Sequence, residues 1–173
     1  MVIVDTRKDV KIEFTGLKEG LHEYRFEIGE AFFDSFEGSI VESGEVVVNL
    51  EFEKGSNLFT ITYSVSGKVT TTCSLCGGEM EEEIQGDAKF FVKFGEESMS
   101  QTDDIIVVMP HEHQIDVSHP IYETISLALP LSPKHENEED CDQDVIDRLD
   151  NYLVDKEEEE GDSIWDDLKD LKL

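Results

Sequence analysis

Apolar and polar side chains alternate with a period of two through most of the chain between Val10 and Met109. A β-strand turns successive side chains to opposite faces, so this period is typical of strands that are buried on one face only. In Phe59 to Val65, for example, every second residue is apolar. The pattern predicts a curled, mainly antiparallel sheet in which consecutive strands pair as a meander.

Turn residues divide this region into the predicted strands. Lys18-Glu19-Gly20 predicts a turn, so residues 10–29 are interpreted as a hairpin-like pair. Ser66-Gly67 is interpreted as a further turn between two strands. The segment Ala31 to Phe36 is ambiguous, and residues 105–109 are predicted to form the last strand.

The period changes at His119-Pro120, where a helix is predicted to begin. Ser118 or His119 can cap it, and Pro120 fits the first turn because its missing N–H would have no partner there. Pro130 ends the pattern. The apolar residues in between share one helical face: Ile121, Ile125, Ala128 and Leu129. A helix with one apolar face is expected to cover the open face of the sheet, so the predicted fold class is α+β.

Residues 1–133 are interpreted as a β-rich body with its covering helix, and residues 134–173 as an acidic helical tail that is partly flexible. The chain's single tryptophan, Trp165, is predicted to bind a partner protein together with Leu168 and Leu171, because Asp residues flank this small apolar ridge. The alternative is that this segment packs on its own domain or frays. A second amphipathic helix is predicted upstream, and it can dock on a partner or, as we expect, on the body. Its apolar residues are Val145, Ile146, Leu149, Tyr152 and Leu153.

The chain is strongly acidic. It has 42 Asp and Glu residues against 14 Lys and Arg, a formal net charge of -28. Contact with a phosphate backbone requires a basic face, so the charge disfavours direct nucleic-acid binding and favours basic protein partners. Solubility is the alternative reason for such a charge. The segment after Met1 has three apolar residues before charge intervenes, too few for a signal peptide or a membrane span, so we expect a cytoplasmic protein.

The three cysteines of the chain suggest one metal site. Cys73 and Cys76 form a CxxC pair followed by two glycines, which let the backbone turn so that both thiolates face one ion. Tetrahedral zinc requires four ligands, and His135 with Cys141 supply the second pair. The sequence therefore predicts a zinc ion bound by Cys73, Cys76, His135 and Cys141. The alternative is a degenerate site whose cysteines pack in the structure or stay free.

Other chemistry finds less support in the sequence. His111 and His113 have a spacing that can bind metal on a strand, but a polar loop after Pro110 is the favoured interpretation. A thioredoxin-like redox role is disfavoured because strands, and not a βαβ unit, surround the CxxC pair. The chain has no GxSxG, no HExxH and no phosphate-binding glycine loop. We therefore expect a protein that is not an enzyme.

Several segments taken together resemble the YceD family of bacteria and plastids, the large ribosomal RNA subunit accumulation proteins. The resemblance extends over most of the chain and depends on the order and spacing of these segments: Phe14 to Gly20 with Tyr24 to Ile28, Gly67 to Cys76, Ile121 to Pro130, His135 with Cys141, and Trp165 to Leu168.

The resemblance implies a non-enzymatic ribosome biogenesis factor that supports accumulation of large-subunit rRNA and hence assembly of the large ribosomal subunit. The acidic charge of the chain predicts that its partners are basic ribosomal or assembly proteins of that subunit. Two alternatives remain. One is a zinc-stabilised protein-interaction adaptor unrelated to ribosomes, and the other is an enzyme or redox protein that uses the CxxC thiols.

Overall fold

The structure is a computed structural model that describes residues 2–5, 10–95 and 105–154. In this part of the chain the elements are, in order, β1 (Val2–Asp5), β2 (Lys11–Glu13), β3 (Gly20–Ile28), α1 (Glu30–Phe33), β4 (Ser43–Lys54), β5 (Leu58–Thr72), β6 (Glu79–Phe94), β7 (Ile105–Val108), β8 (Gln114–Asp116), α2 (Ser118–Ala128), a 3₁₀ turn (Glu138–Asp140) and α3 (Gln143–Val154). None of the helices described here has the length and apolar character needed to cross a membrane.

A six-stranded sheet in the order β1-β3-β4-β5-β6-β7 forms the frame of the molecule. Strands β3 to β6 follow one another in the chain and pair antiparallel, which is the predicted meander. The two outer strands, β1 and β7, join in parallel. A separate antiparallel pair is formed by β2 and β8. The α+β fold class and the mainly antiparallel sheet are therefore confirmed.

One face of the sheet forms the core, and α2 covers it as predicted. Ile121 and Ile125 of α2 are fully buried. The Tyr63 hydroxyl on β5 donates a hydrogen bond to the Pro120 carbonyl oxygen at 2.8 Å, which fixes the helix start on the sheet. Gly86 on β6 lies beneath α2, where an added Cβ would approach the Thr124 Cγ2 to 3.1 Å. The small residue lets helix and sheet approach closely.

The ambiguous segment after β3 is the short helix α1. Phe32 and Phe33 are fully buried in the core. Phe36, just after the helix, stacks on Tyr122 of α2 with ring centroids 4.1 Å apart and planes at 10°. These aromatic contacts connect the two helices on the same side of the sheet.

The predicted hairpin over residues 10–29 is wrong. β2 pairs with β8, so that Ile12 lies opposite Ile115, while β3 pairs with β4. The predicted side-chain cap on α2 is also absent, because the Ser118 hydroxyl instead accepts a hydrogen bond from the Val10 N–H at 2.7 Å. Val117 occupies the cap position and Ser118 is the first residue of α2, so the Ser118 hydroxyl bonds the segment that leads into β2 and does not cap the helix.

The predicted turn at Ser66-Gly67 is also wrong, because β5 continues through it without interruption. Gly67 pairs with Val46 on one side and Ile84 on the other. A Cβ at Gly67 would lie 2.1 Å from the backbone oxygen of Glu45. This glycine therefore permits a close approach of two strand backbones and does not mark a turn.

We expect Gly67→Ala to lower the free energy of unfolding by about 1–3 kcal/mol, because the added methyl group collides with backbone atoms that cannot rotate away. Gly29→Ala is the matched control. Gly29 is extended, and a Cβ there would have no atom of the described part of the chain within 4 Å, so the effect should stay within about 1 kcal/mol. Urea unfolding measures both. Equal effects of the two substitutions would contradict the close approach.

Candidate metal centre

The connection between β5 and β6 is a tight turn that carries the CxxC pair. The Cys73 N–H donates to the Gly78 carbonyl at 2.8 Å, and the Gly77 N–H donates to the Cys73 carbonyl at 2.9 Å. Gly77 has φ 74°, in the left-handed region that favours glycine. The two glycines after Cys76 thus close the turn that the sequence predicted.

Backbone amides in this turn point at the sulfur atoms. The Leu75 N–H donates to the Cys73 Sγ, and the Gly78 N–H donates to the Cys76 Sγ, each at 3.4 Å. Such donors favour the thiolate form, which is the form that binds metals. A Cβ at Gly78 would already be 3.4 Å from the Cys76 sulfur, so the second glycine leaves room for that sulfur.

The second pair of candidate ligands comes from the chain after α2. The Ser74 N–H donates to the Pro133 carbonyl at 2.8 Å and so holds this returning segment against the turn. His135 follows two residues later. Cys141 directly follows the 3₁₀ turn, and its N–H donates to the Glu138 carbonyl at 3.1 Å. This local turn places the Cys141 sulfur next to the imidazole.

The structure brings all four predicted ligands together. The sulfur atoms of Cys73, Cys76 and Cys141 and one ring nitrogen of His135 all lie within 4.8 Å of one another. The His135 Nδ1 is 3.7 Å from the Cys76 Sγ and 3.4 Å from the Cys141 Sγ. Bonds of about 2.3 Å to sulfur and about 2.0 Å to nitrogen place tetrahedral ligand atoms about 3.5–3.8 Å apart. The two distances from the His135 Nδ1 agree with this spacing, and the four residues could hold one tetrahedral ion.

A hydrogen bond fixes which nitrogen of His135 faces the sulfurs. The His135 Nε2 lies 3.2 Å from the Glu79 carbonyl oxygen. A carbonyl oxygen only accepts, so Nε2 must carry the proton, which leaves Nδ1 of the neutral ring with a free lone pair. A second hydrogen bond of this kind orients most metal-binding histidines. Sequence reasoning did not find it, because a backbone oxygen leaves no sequence signal.

Apolar side chains surround the sulfur atoms of the cluster, whereas His135 is half-buried. Cys73, Cys76 and Cys141 are buried together with Met80, and Leu75, Val145 and Ile146 pack around them. Burial keeps water and competing ligands away from the sulfurs.

The predicted amphipathic helix α3 meets the body at this cluster through its first turn. Val145 and Ile146 make the contact, whereas Leu149 is 37% exposed and Tyr152 is 75% exposed. Docking on the body therefore uses only part of the apolar stripe.

Burial and hydrogen bonding act in opposite directions on the thiols. Burial alone raises the pKa of Cys73, but backbone hydrogen bonds from Cys76, His135 and Leu75 outweigh it and lower the pKa to about 6. Burial raises the pKa of the Cys141 thiol to about 12, and the neighbouring Cys76 and Cys73 add to the rise. The Cys73 thiol therefore loses its proton easily, whereas the Cys141 thiol holds its proton strongly. A bound divalent cation would stabilise the Cys141 thiolate and so offset the burial and the neighbouring thiols that keep its proton in place.

The other predicted site residues lie elsewhere. The loop after Pro110 contains His113, whose carbonyl accepts a hydrogen bond from the Phe14 N–H at 3.1 Å. Glu112 accepts from the Met109 N–H at 2.7 Å and so holds the turn after Pro110, as the loop interpretation expected, whereas His113 contacts the segment that follows β2. Trp165, Leu168 and Leu171 lie outside the described residues, so their partner-binding role stays a prediction.

Comparison with known proteins adds one finding. The sequence model of the family described as "Large ribosomal RNA subunit accumulation protein YceD" matches residues 61–172, more than half of the chain. The matched region contains all four residues of the cluster and the whole of α2 and α3. No curated protein and no solved structure matches the chain.

In the metal-free chain the two perturbed thiols should make stability depend on pH. Folding keeps Cys73 ionised between its lowered pKa of about 6 and the ordinary value of 9.0, so stability rises with pH over that interval. Folding keeps Cys141 protonated from 9.0 to about 12, so stability falls with pH there. Urea unfolding from pH 6 to pH 10 measures the curve. Cys73→Ser is the control and should abolish the rise, whereas an unchanged rise in that variant would contradict the assignment.

Proposed function

We propose that this chain, which belongs to the YceD family, supports the accumulation of large-subunit rRNA and the assembly of the large ribosomal subunit as a non-enzymatic factor that binds basic proteins. The family match over residues 61–172 is the observation that carries the proposal. The family's description states a role in large-subunit rRNA accumulation. The choice of basic proteins as partners comes from the charge of the chain.

The outer face of the sheet supports a basic partner. Glu23 on β3 lies directly opposite Glu51 on β4, and like charges in directly opposite positions destabilise a sheet. Arg25 and Lys68 on the same face form ion pairs with Glu27 and Glu83 at 3.6 Å. Lys89 and Lys93 also lie on this face, but the chain as a whole carries 42 Asp and Glu residues against 14 Lys and Arg, a net charge of -28. Such a surface attracts cationic proteins and repels a phosphate backbone.

We further propose that the Cys/His cluster binds zinc with a structural role. Cys73, Cys76, His135 and Cys141 would be the four ligands, and four protein ligands leave no open position for water or substrate. A closed site of this kind stabilises a fold and does not perform catalysis. The zinc would connect the β5–β6 turn to the segment that precedes α3.

A second candidate function is a zinc-stabilised adaptor with partners unrelated to ribosomes. The cluster favours it, since structural zinc sites occur in interaction modules of many kinds. The two functions differ in what the protein binds, so identification of the bound proteins separates them.

We expect the purified protein to contain about one zinc ion per chain, measured by elemental analysis after purification without chelator. Cys76→Ser or His135→Gln should lower the zinc content and the metal affinity by tenfold or more, because three ligands remain. His113→Gln is the matched control, since this histidine lies outside the cluster, and it should keep full zinc content. Metal-free protein from all these preparations would contradict the zinc proposal.

Removal of the gene should lower the ratio of large-subunit to small-subunit rRNA in cells, and the intact gene should restore it. The tagged protein should copurify with large-subunit precursors and basic ribosomal proteins at low salt. At high salt this association should weaken strongly, because screening shortens the reach of exposed charges from about 8 Å at physiological salt to about 3 Å at 1 M. An unchanged rRNA ratio would reject the ribosomal role, and reproducible copurification of unrelated proteins alone would favour the adaptor.

A further inference from the structure

An apolar groove of about 480 Å³ lies beside the turn that carries the cysteines, between the end of α2 and the end of β5. Among the residues that the structure describes, only uncharged ones line it. The apolar part of the lining consists of Ile40, Leu127, Leu129, Pro130, Leu131 and Pro133. We call this surface the Leu-Pro groove.

The Leu-Pro groove exposes large apolar side chains to water. Leu127 is 85% exposed, Leu131 is 107% exposed and Ile40 is 57% exposed. Single exposed leucines are common on proteins, but several that line one concave surface indicate an interaction site. The concave shape suits one protruding apolar side chain of a partner.

Carboxylates lie next to this groove at the end of the sheet and on α2. The Glu42 carboxylate accepts a hydrogen bond at 3.1 Å from Thr72, which lines the groove, and Glu79 lies directly opposite Thr72 on β6. Thr72 is exposed whereas Thr71 is buried, so these two carboxylates lie beside the groove toward the outer face of the sheet. On α2, Glu123 lies one turn before Leu127, and its carboxylate is 3.2 Å from the His119 Nδ1 with the side chain 59% exposed. An apolar centre with a charged rim is the usual arrangement of a protein-binding surface.

We propose that the Leu-Pro groove binds a segment of a basic protein in which one large apolar side chain is flanked by Lys or Arg. The apolar side chain fills the groove, and the cationic neighbours lie against Glu42, Glu79 and Glu123. The inference rests on the proposed function and deepens it, because it names the surface that recognises the basic partner.

Charge decides against the two other possible occupants. Residues 155–173 of this chain follow α3 and contain an apolar segment around Trp165, but they carry nine Asp or Glu residues against three Lys. A second copy of the chain carries a net charge of -28. Both would bring carboxylates against an acidic rim, which costs binding energy.

A photo-crosslinking residue at position 131 tests the proposal, with position 21 as the control. Leu21 is an exposed leucine on β3 that aligns across the sheet with Thr60 on β5. Thr60 lies about 40 Å along β5 from Thr72, which lines the groove, so Leu21 is far from the groove. The probe is the mixture of proteins extracted from purified large ribosomal subunits, and mass spectrometry identifies the crosslinked peptides. Crosslinks from position 131 to peptides with an apolar residue flanked by Lys or Arg are expected. Crosslinks mainly to residues 155–173, to a second copy, or equally from position 21 would overturn the proposal.

The double variant Leu127→Glu with Leu131→Glu supplies a second measurement. Both leucines are exposed, so the fold should persist, and Leu21→Glu is the matched control. The synthesised crosslinked peptide should bind the double variant at least about tenfold more weakly and the control variant unchanged. In cells, the double variant should fail to restore the ratio of large-subunit to small-subunit rRNA.

These outcomes separate the groove from the proposed function. If removal of the gene lowers the rRNA ratio and the double variant restores it fully, the proposed function stands and the groove proposal is overturned. If removal of the gene leaves the ratio unchanged, both are overturned.

Discussion

The pairing of β5 with β6 is the interaction on which the other parts of the described structure depend. All 15 residues of β5 are paired with β6, from Leu58 opposite Lys93 to Thr72 opposite Glu79. Because side chains alternate along a strand, this one register decides which residues face α2 and the core. It also fixes the turn that follows Thr72, and with it the position of the CxxC pair. A shift of β6 by one residue against β5 would turn the core residues of β6 to the solvent.

The sequence predicted those parts of the fold that depend on local pattern. The alternation from Phe59 to Val65 marks the core face of a strand, and Ile121 with Ile125 marks the buried face of α2. The pattern could not predict that β2 pairs with β8, because a pairing across about a hundred residues leaves no trace in a short window. Gly67 was misread for a related reason. A glycine needed for a turn and one needed for close strand contact look the same in a single sequence.

The candidate site also has a part that the sequence predicts and a part that it does not. The four ligands were predictable, because Cys, His and their spacing are direct chemical signals. The supporting contacts were not. The Glu79 carbonyl that orients His135 and the Pro133 carbonyl that accepts from the Ser74 N–H are backbone atoms, which every residue has. Only the folded chain shows which backbone atoms serve the site.

The cluster and the Leu-Pro groove share one turn, so a metal ion would affect both. Cys73 faces the cluster, whereas its neighbour Ser74 lines the groove and donates its N–H to the Pro133 carbonyl. Pro133 itself lines the groove, and His135 follows two residues later in the cluster. An ion bound by Cys73 and His135 would therefore hold the two walls of the groove at a fixed separation. A segment that is already ordered loses less conformational entropy when a partner binds, so zinc would favour partner binding without contact with the partner. By thermodynamic linkage, a bound partner would favour zinc by the same factor.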